Sequence, residues 1–165
     1  MVRLESERLS YEKFTQEHFA DYFRLVSEQD VMQYITGAAL NEEQAKARFQ
    51  VALNADRGLH HFGFLAVFEK ETGTFTGLAK IVPFETNLCE IGYALFPAFW
   101  GKGYATEITR TMVSYAKQLG NVPELIALVS PENHSSVKVL TKQGFVFFRE
   151  IVDAGGTRHD YILRI

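Results

Sequence analysis

The segment that decides the fold is GYALFPAFWGKGYATE, residues 92–107, in which a strand leads through a glycine turn into a helix. Before the turn, successive residues present opposite faces, as they do in a strand. Gly101 and Gly103 permit backbone angles that other residues resist, and they let a ligand approach the main chain. The helix that follows offers free N–H groups and the positive end of its dipole. This arrangement is typical of phosphate binding.

Two common phosphate motifs do not match this turn. A Walker turn needs Lys and then Ser or Thr directly after its last Gly, whereas Gly103 is followed by Tyr104. The dinucleotide fingerprint needs a third small residue where Thr106 stands, and an acidic residue at the end of the next strand. Glu124 has that spacing but begins a strand. A tight turn without a ligand stays open, because a lone Gly-x-Gly pattern is a weak signal.

Outward from this segment, apolar residues recur at helical spacing in some stretches and form short β-rich runs in others. The predicted strands are Leu9–Phe14, His61–Glu69, Thr74–Pro83, Leu88–Phe96, Leu125–Val129, Phe145–Val152 and His159–Ile165. The predicted helices are Gln16–Ser27, Asn41–Asp56, Tyr104–Leu119 and Asn133–Gln143. The strand–helix–strand unit from Leu88 to Val129 predicts a parallel pair with a right-handed crossover, and the hairpins around it are antiparallel. We therefore expect an α/β (α+β) fold with a single mixed, mostly antiparallel sheet flanked by helices.

The composition indicates an ordinary globular protein. The chain has 165 residues, of which 47% are hydrophobic and 22% charged, so we expect one domain over residues 1–165. A net charge of −3 argues against non-specific nucleic-acid binding. The longest apolar run, Phe62 to Phe68, is too short to span a bilayer, and Arg3 and Glu5 interrupt any secretion signal. A single cysteine, Cys89, builds no internal disulfide or Cys-rich metal site, so we expect a cytoplasmic protein without a metal.

Residues 92–107 resemble the acetyl-CoA-binding motif of the GCN5-related N-acetyltransferase (GNAT) family. They are most similar to the branch that acetylates ribosomal-protein N-termini. Further along the chain, Asn133–Ser136 and Lys142–Phe145 resemble that branch's Asn-x-x-Ser helix ending in Gly-Phe. The N-terminal Glu7–Leu9 strand and the Asp30–Met32 turn also fit, so the resemblance covers nearly the whole chain in the same order.

This resemblance implies that acetyl-CoA is the cosubstrate and that the parallel strand pair is splayed around it. The main-chain N–H groups of residues 101–106 would hold the pyrophosphate. The main chain near Leu95 and Phe96 would pair with the pantetheine arm like an added strand. Asn133 and Ser136 would face the pantetheine and the thioester sulfur. The implied cofactor-binding set is Leu95, Phe96, Trp100, Gly101, Lys102, Gly103, Tyr104, Ala105, Thr106, Asn133 and Ser136.

One position of the turn departs from the family pattern. Trp100 stands where most members have Gln or Arg. Because main-chain donors do the holding, we still expect the turn to bind CoA, with Phe96, Phe99 and Trp100 bordering the slot. Three lysines could meet the 3′-phosphate or be solvated surface charges: Lys102, Lys138 and Lys142.

Transfer of an acyl group to an amine requires a base, because an amine protonated at neutral pH cannot attack a carbonyl. Glu90 is the first candidate. It precedes the diverging end of its strand, on the face opposite Ile91 and Tyr93, where apolar surroundings would make a carboxylate a better base. The alternative is a salt-bridge partner at the strand edge. The rival bases are Glu107, which the helix dipole also explains, and His60, His61 and His134.

The departing thiolate needs a proton or a hydrogen bond. Many family members place a Tyr one position before Thr141, but this chain has Leu140 there. Ser136 is the best substitute as a donor on the sulfur side, with helix capping as its alternative. Tyr93 and Tyr104 are further candidates, although Tyr104 is expected to pack over the turn.

These residues predict an acetyl-CoA-dependent N-acetyltransferase that acts on a primary amine by direct attack in a ternary complex. The expected acceptor is the α-amine of a protein or peptide N-terminus. A small amine (a polyamine, amino acid or aminoglycoside) is the second possibility, and a non-catalytic acyl-CoA-binding module is the third. We expect no nucleic-acid or membrane partner, and a monomer or homodimer. Acidic residues on the two N-terminal helices could attract a cationic amine or form a solvated face: Glu28, Asp30, Glu42 and Glu43.

Overall fold

An eight-stranded sheet forms the centre of the computed structural model, which describes residues 3–165. Its strands are β1 (Leu4–Glu5), β2 (Leu9–Lys13), β3 (Gly63–Glu69), β4 (Phe75–Phe84), β5 (Leu88–Leu95), β6 (Glu124–Val129), β7 (Val146–Asp153) and β8 (Gly156–Arg164). Their order across the sheet is β1-β2-β3-β4-β5-β6-β8-β7. Only β5 and β6 are parallel among the described strands. The predicted mixed, mostly antiparallel sheet with one parallel pair is therefore confirmed.

Helices cover both faces of this sheet. They are α1 (Phe19–Val26), α2 (Gln29–Met32), α3 (Glu42–Leu53), α4 (Tyr104–Leu119) and α5 (His134–Lys142). On one face, α4 and α5 bury Ile108, Met112 and Leu140 against the sheet. On the other face, α1 to α3 bury Tyr22 and Phe49. The apolar side chains at helical spacing thus form two separate cores, and the sheet lies between them.

The first third of the chain differs most from the prediction. Strand β1 and the single-turn helix α2 were not predicted, because elements of two and four residues are too short to show a periodicity. The helix predicted at Gln16–Ser27 begins as a 3₁₀ turn before α1. The predicted reciprocal cap of α3 is present, since the side chains of Asn41 and Gln44 each accept a hydrogen bond from the other's backbone N–H.

The parallel pair separates after a short contact. Within the described chain, β5 and β6 pair at Leu88–Glu124, Cys89–Leu125 and Glu90–Ile126, and then diverge. Strand β5 continues to pair with β4 as far as Leu95 and Gly77. The divergence opens a slot in the middle of the sheet, bounded by the second half of β5 and the end of β6.

Candidate active site

The wall of the slot is the open edge of β5. The N–H of Phe96 donates to the carbonyl of Thr76 in β4, at 3.0 Å. Because hydrogen-bonding groups alternate along an antiparallel strand, the main-chain groups of Tyr93 and Leu95 point away from β4, toward the slot. Pairing of the pantetheine arm with the main chain near Leu95 and Phe96 stays a prediction, and the strand geometry favours Tyr93 and Leu95 as the residues that form it. Phe96 turns its amide toward β4, and the pair that faces the slot is Tyr93 and Leu95.

Trp100 occupies part of this edge. Its indole Nε1 donates to the carbonyl of Leu95 at 2.9 Å, and the side chain is 48% exposed. This bond closes the loop between β5 and the glycine turn. A carbonyl oxygen can accept two hydrogen bonds, so the Leu95 carbonyl retains one free acceptor position.

The glycine turn presents a group of free amide donors. Gly101 and Gly103 have φ values of +72° and +79°, in the left-handed region that favours glycine. The N–H of Glu107 bonds the carbonyl of Gly103, whereas within residues 3–165 the amides of residues 101–106 meet no acceptor. The turn therefore presents adjacent donors and the positive end of α4 to one place. The binding of the acetyl-CoA pyrophosphate at these residues stays a prediction, with which these unpaired amides of the described chain are consistent.

Arg8 supports the turn from behind, and no pattern in the sequence assigned it that role. Its Nε donates to Glu107 Oε2 at 2.7 Å, and its Nη1 donates to the carbonyl of Lys102 at 2.7 Å. Its backbone N–H and the hydroxyl of Ser6 donate to Glu107 Oε1. Burial alone would raise the pKa of Glu107, but these hydrogen bonds outweigh it and lower that pKa. Three donors therefore engage the Glu107 carboxylate, which anchors the turn, and its lowered pKa makes it a weak base.

Tyr104, the first residue of α4, lies over the turn, as expected. Its ring stacks near Phe99, and the guanidinium of Arg8 lies 4.4 Å from the ring centroid. Its hydroxyl donates to the carboxylate of Glu69, and this bond raises the pKa of Tyr104. The hydroxyl is directed to β3 and away from the slot, so it is removed from the candidate proton donors.

The structure brings two of the candidate proton donors together. The hydroxyl of Tyr93, on the open half of β5, lies 2.9 Å from the hydroxyl of Ser136, in the first turn of α5. Burial raises the pKa of Tyr93, so the phenol stays protonated at neutral pH. Asn133 caps α5, accepting from the N–H of Ser136 at 3.3 Å. This pair lies on the face of the sheet that α4 and α5 cover, on one side of the slot.

Glu90 lies on the opposite face of the sheet. It is the last residue of β5 that pairs with β6, and it shares a face with Ala94, which belongs to the core under α1 to α3. Its setting is charged and not apolar, because the ammonium of Lys80 on β4 contacts Glu90 Oε1. The side chains of Glu90 and Lys80 are 12% and 24% exposed. The sequence missed Lys80, since only the register of β4 against β5 brings the two together.

The other predicted candidates do not gather at the slot. His60 and His134 are exposed, and the carbonyl of His61 accepts a hydrogen bond from Tyr115. Cys89 is buried, and burial raises the pKa of its thiol, as expected of a core residue. The lysines proposed for the 3′-phosphate are all exposed: Lys102, Lys138 and Lys142. The acidic residues of the N-terminal helices are also exposed: Glu28, Asp30, Glu42 and Glu43.

Between residues 3 and 165, no His, Cys, Asp or Glu side chains form a group of three or more that could hold a metal ion. In the same range, none of the helices combines the length and the apolar character needed to cross a membrane.

The sequence of this chain is similar to those of known acetyltransferases. A family model described as an acetyltransferase (GNAT) domain matches residues 8–146. YnaD of Bacillus subtilis, an uncharacterized N-acetyltransferase, is 26% identical over 157 residues, or 93% of this chain and 90% of that protein. The FsC-acetyl coenzyme A-N(2)-transacetylase of Aspergillus fumigatus is 28% identical over 151 residues, or 86% of this chain and 63% of that protein.

Solved structures share the fold. A GNAT-family acetyltransferase from Bacillus anthracis superposes with a TM-score of 0.83 at 22% identity, covering 99% of this chain and 98% of that one. The ribosomal-protein acetyltransferase RimL, solved with coenzyme A, gives a TM-score of 0.82 at 17% identity and the same coverage of 99% and 98%. Spermidine N-acetyltransferase from Vibrio cholerae, solved with coenzyme A and spermine, gives 0.78 at 14% identity, covering 95% of each chain.

Proposed function

The chain belongs to the GNAT acetyltransferase family, and from that premise we propose that it transfers an acetyl group from acetyl-CoA to a primary amine. The observation that carries the proposal is the set of unpaired amides at residues 101–106 beside the divergence of β5 from β6. Bound acetyl-CoA supplies a thioester, which is an activated acyl group. The chain's own residues bind it, orient it and move protons.

Binding uses the main chain. The amides of residues 101–106 hold the pyrophosphate at the N-terminus of α4. Tyr93 and Leu95 offer their outward-facing backbone groups to the amides of the pantetheine arm, as a neighbouring strand would. The Arg8–Glu107 pair keeps the turn in place from behind. Because backbone amides bind the phosphates, no side chain of the turn has to contact them. This explains why Trp100 can replace the Gln or Arg that most family members have.

Proton transfer uses both faces of the sheet. Glu90, on the face of α1 to α3, takes the proton that the amine loses as its nitrogen bonds to the carbonyl carbon. As the bond from carbon to sulfur breaks, the Tyr93–Ser136 pair, on the other face, gives a proton or hydrogen bond to the departing sulfur. Since the slot passes between the two faces, base and acid act from opposite sides of the reacting carbon. Holding both reactants in this geometry lowers the barrier further.

The proposed acceptor is the α-amine of a protein or peptide N-terminus. Support comes from the sequence motifs at residues 92–107 and Asn133–Ser136, which resemble the branch that acetylates ribosomal-protein N-termini. RimL, whose name states that activity, shares the fold across almost the whole chain.

Thermal unfolding with and without acetyl-CoA tests the binding step. Acetyl-CoA is expected to raise the Tm of the wild-type protein, and NAD is not, because only ligands that bind the folded state stabilise it. Gly103→Ala forces a left-handed alanine into the turn and is expected to weaken acetyl-CoA binding about tenfold. Gly120→Ala is the matched control, since Gly120 has the same backbone angle at the far end of α4, with open space around it.

Release of CoA-SH with a panel of amines tests the transfer step. The panel contains N-terminal peptides, free amino acids, spermidine and an aminoglycoside. Turnover of the peptides supports the proposed acceptor. A missing Tm shift with acetyl-CoA would overturn the cosubstrate, whereas a Tm shift without thiol release from any amine would overturn the transfer and leave a binding module.

A further inference from the structure

The ion pair between Lys80 and Glu90 has an unusual position in this site. Lys80 and Glu90 lie on neighbouring strands on the face of α1 to α3, and the stem of Lys80 lies across Gly92. A Cβ at position 92 would come within 2.9 Å of Lys80 Cε, so a larger residue there would displace the lysine side chain from this path. Gly92 belongs to the half of β5 that has left β6. The Lys80 ammonium therefore lies over β5 where the slot begins.

Within residues 3–165, Lys80 has one carboxylate partner. Besides Glu90, its ammonium lies 5.5 Å from the centroid of the Phe64 ring, a weak attraction. A largely buried cation that loses its anion is strongly destabilised. If an acceptor binds its own ammonium to Glu90, Lys80 therefore loses its carboxylate partner. If that acceptor also carries no anion, its ammonium and the Lys80 ammonium lie side by side without a second negative charge.

A groove beside Val82, the strand partner of Glu90, carries one arginine. It has a volume of about 530 Å³ and runs between the end of α3 and the end of β4. Val82, the residue paired with Glu90 across the strands, forms part of its floor. Arg57 lines it and makes no ion pair within residues 3–165, while the neighbouring carboxylate of Asp56 is held by Lys13. The side-chain amides of Gln50 and Asn54 complete the polar lining.

We propose that the acceptor is an amine that carries a carboxylate close to it, and that Glu90 and Lys80 exchange partners when it binds. Glu90 receives the acceptor's ammonium, and Lys80 receives its carboxylate, so that both charges stay paired. The carboxylate comes either from a free amino acid or from an acidic side chain next to a peptide N-terminus. This inference rests on the proposed acetyl transfer and narrows its substrate. A polyamine supplies no anion, and the positive charges of Lys80 and Arg57 disfavour its binding.

Pairs of acceptors that differ only in charge test the exchange. The first pair is tripeptide amides beginning Ser-Asp and Ser-Asn, and the second is alanine and alaninamide. For the wild-type protein, we expect kcat/KM in at least one pair to be about tenfold higher for the acidic member than for the neutral member. The reason is that loss of one ion pair weakens binding by about that factor. The pair that shows the difference identifies the source of the carboxylate. Spermidine is expected to be the poorest acceptor.

Variants at position 80 test whether Lys80 causes the preference for acidic acceptors. Lys80→Met is expected to abolish the preference for the acidic acceptor, and Lys80→Arg to retain it, because a guanidinium also binds carboxylate. Lys117→Met, on the exposed last turn of α4, is the control and should keep the wild-type preference. A Tm measurement confirms that each variant is folded.

Two results would overturn the inference, and they are distinguishable. Equal kcat/KM for acidic and neutral members of both pairs, or better turnover of spermidine, removes the partner exchange and leaves acetyl transfer intact. Absence of CoA-SH release from every acceptor, with a normal Tm shift by acetyl-CoA, removes the transferase itself and this inference with it.

Discussion

At the scale of single residues, we propose that the contact between Tyr93 and Ser136 replaces the proton donor that position 140 lacks. Leu140 is buried in the core under α4 and α5 and has no proton to give. The two hydroxyls lie 2.9 Å apart, and burial raises the pKa of the phenol, which keeps it protonated. A pair of hydroxyls in contact can pass a proton from one oxygen to the other, so either one could serve the sulfur.

Removing either hydroxyl is expected to slow the chemical step. Tyr93→Phe and Ser136→Ala should each lower kcat about tenfold or more, within the range known for acid–base groups, with little change in KM for acetyl-CoA. Steady-state kinetics of CoA-SH release measures this split. Tyr115→Phe is the control, since it removes a phenol that bonds the carbonyl of His61, away from the slot. If Tyr93→Phe retained the kcat of this control, the hydroxyl pair would have no part in the transfer.

At the scale of elements, the turn between β1 and β2 is joined to α4 through Arg8 and Glu107, which are 99 positions apart. Hydrogen bonds from Ser6 and Arg8 lower the pKa of Glu107 against the opposing effect of burial. At acidic pH the unfolded chain therefore binds more protons at this residue than the folded chain does. The contribution of Glu107 to stability is complete above the unfolded pKa, 4.5, and is lost as the pH falls through the lower folded value.

Glu107→Gln is expected to destabilise the protein more at pH 7 than at pH 4. Urea unfolding at the two pH values gives the free energies, and the difference between wild type and variant should shrink on acidification. Glu71→Gln, in the exposed turn between β3 and β4, is the control and should change the free energy of unfolding by less than about 0.5 kcal/mol. A difference that stayed constant with pH would mean that the carboxylate charge does not hold the turn.

At the scale of the whole molecule, one buried carboxylate fastens the last hairpin to the middle of the sheet. Asp160 on β8 is 0% exposed and accepts hydrogen bonds from Arg149 and Arg158. Arg149 also reaches Glu85, in the turn between β4 and β5. The C-terminal hairpin is thereby linked to the two strands that carry Lys80 and Glu90.

Asp160→Asn is expected to lower the free energy of unfolding by about 3 kcal/mol, because two guanidinium groups lose their shared anion. The midpoint of urea unfolding measures the effect. Asp153→Asn is the matched control in the exposed turn of the same hairpin. Its side-chain oxygen accepts from the N–H of Gly155, and an asparagine oxygen can do the same. Equal midpoints for the two variants would show that the buried network adds nothing to stability.

The helices, the strands and their order could be predicted from the sequence, because each depends on residues close to one another along the chain. The period of apolar residues located α1, α3, α4 and α5, and β-rich runs bounded by turn residues located all strands except β1. The cap at Asn41 and the stop at Gly120 are local hydrogen-bonding and backbone effects. The glycine turn could be predicted for the same reason, since its hydrogen-bond donors are the amides of the turn and of the first residues of α4.

The contacts that complete the site were decided by the tertiary structure. Tyr93 and Ser136 are 43 positions apart, and the divergence of β5 from β6, together with the packing of α5, brings their hydroxyls into contact. Lys80 reaches Glu90 because of the register of β4 on β5, which also turns the amide of Phe96 away from the slot. The alternation of residues along one strand determines on which face of the sheet each side chain lies. It does not fix which residue of another strand lies opposite, because that depends on the sheet as a whole.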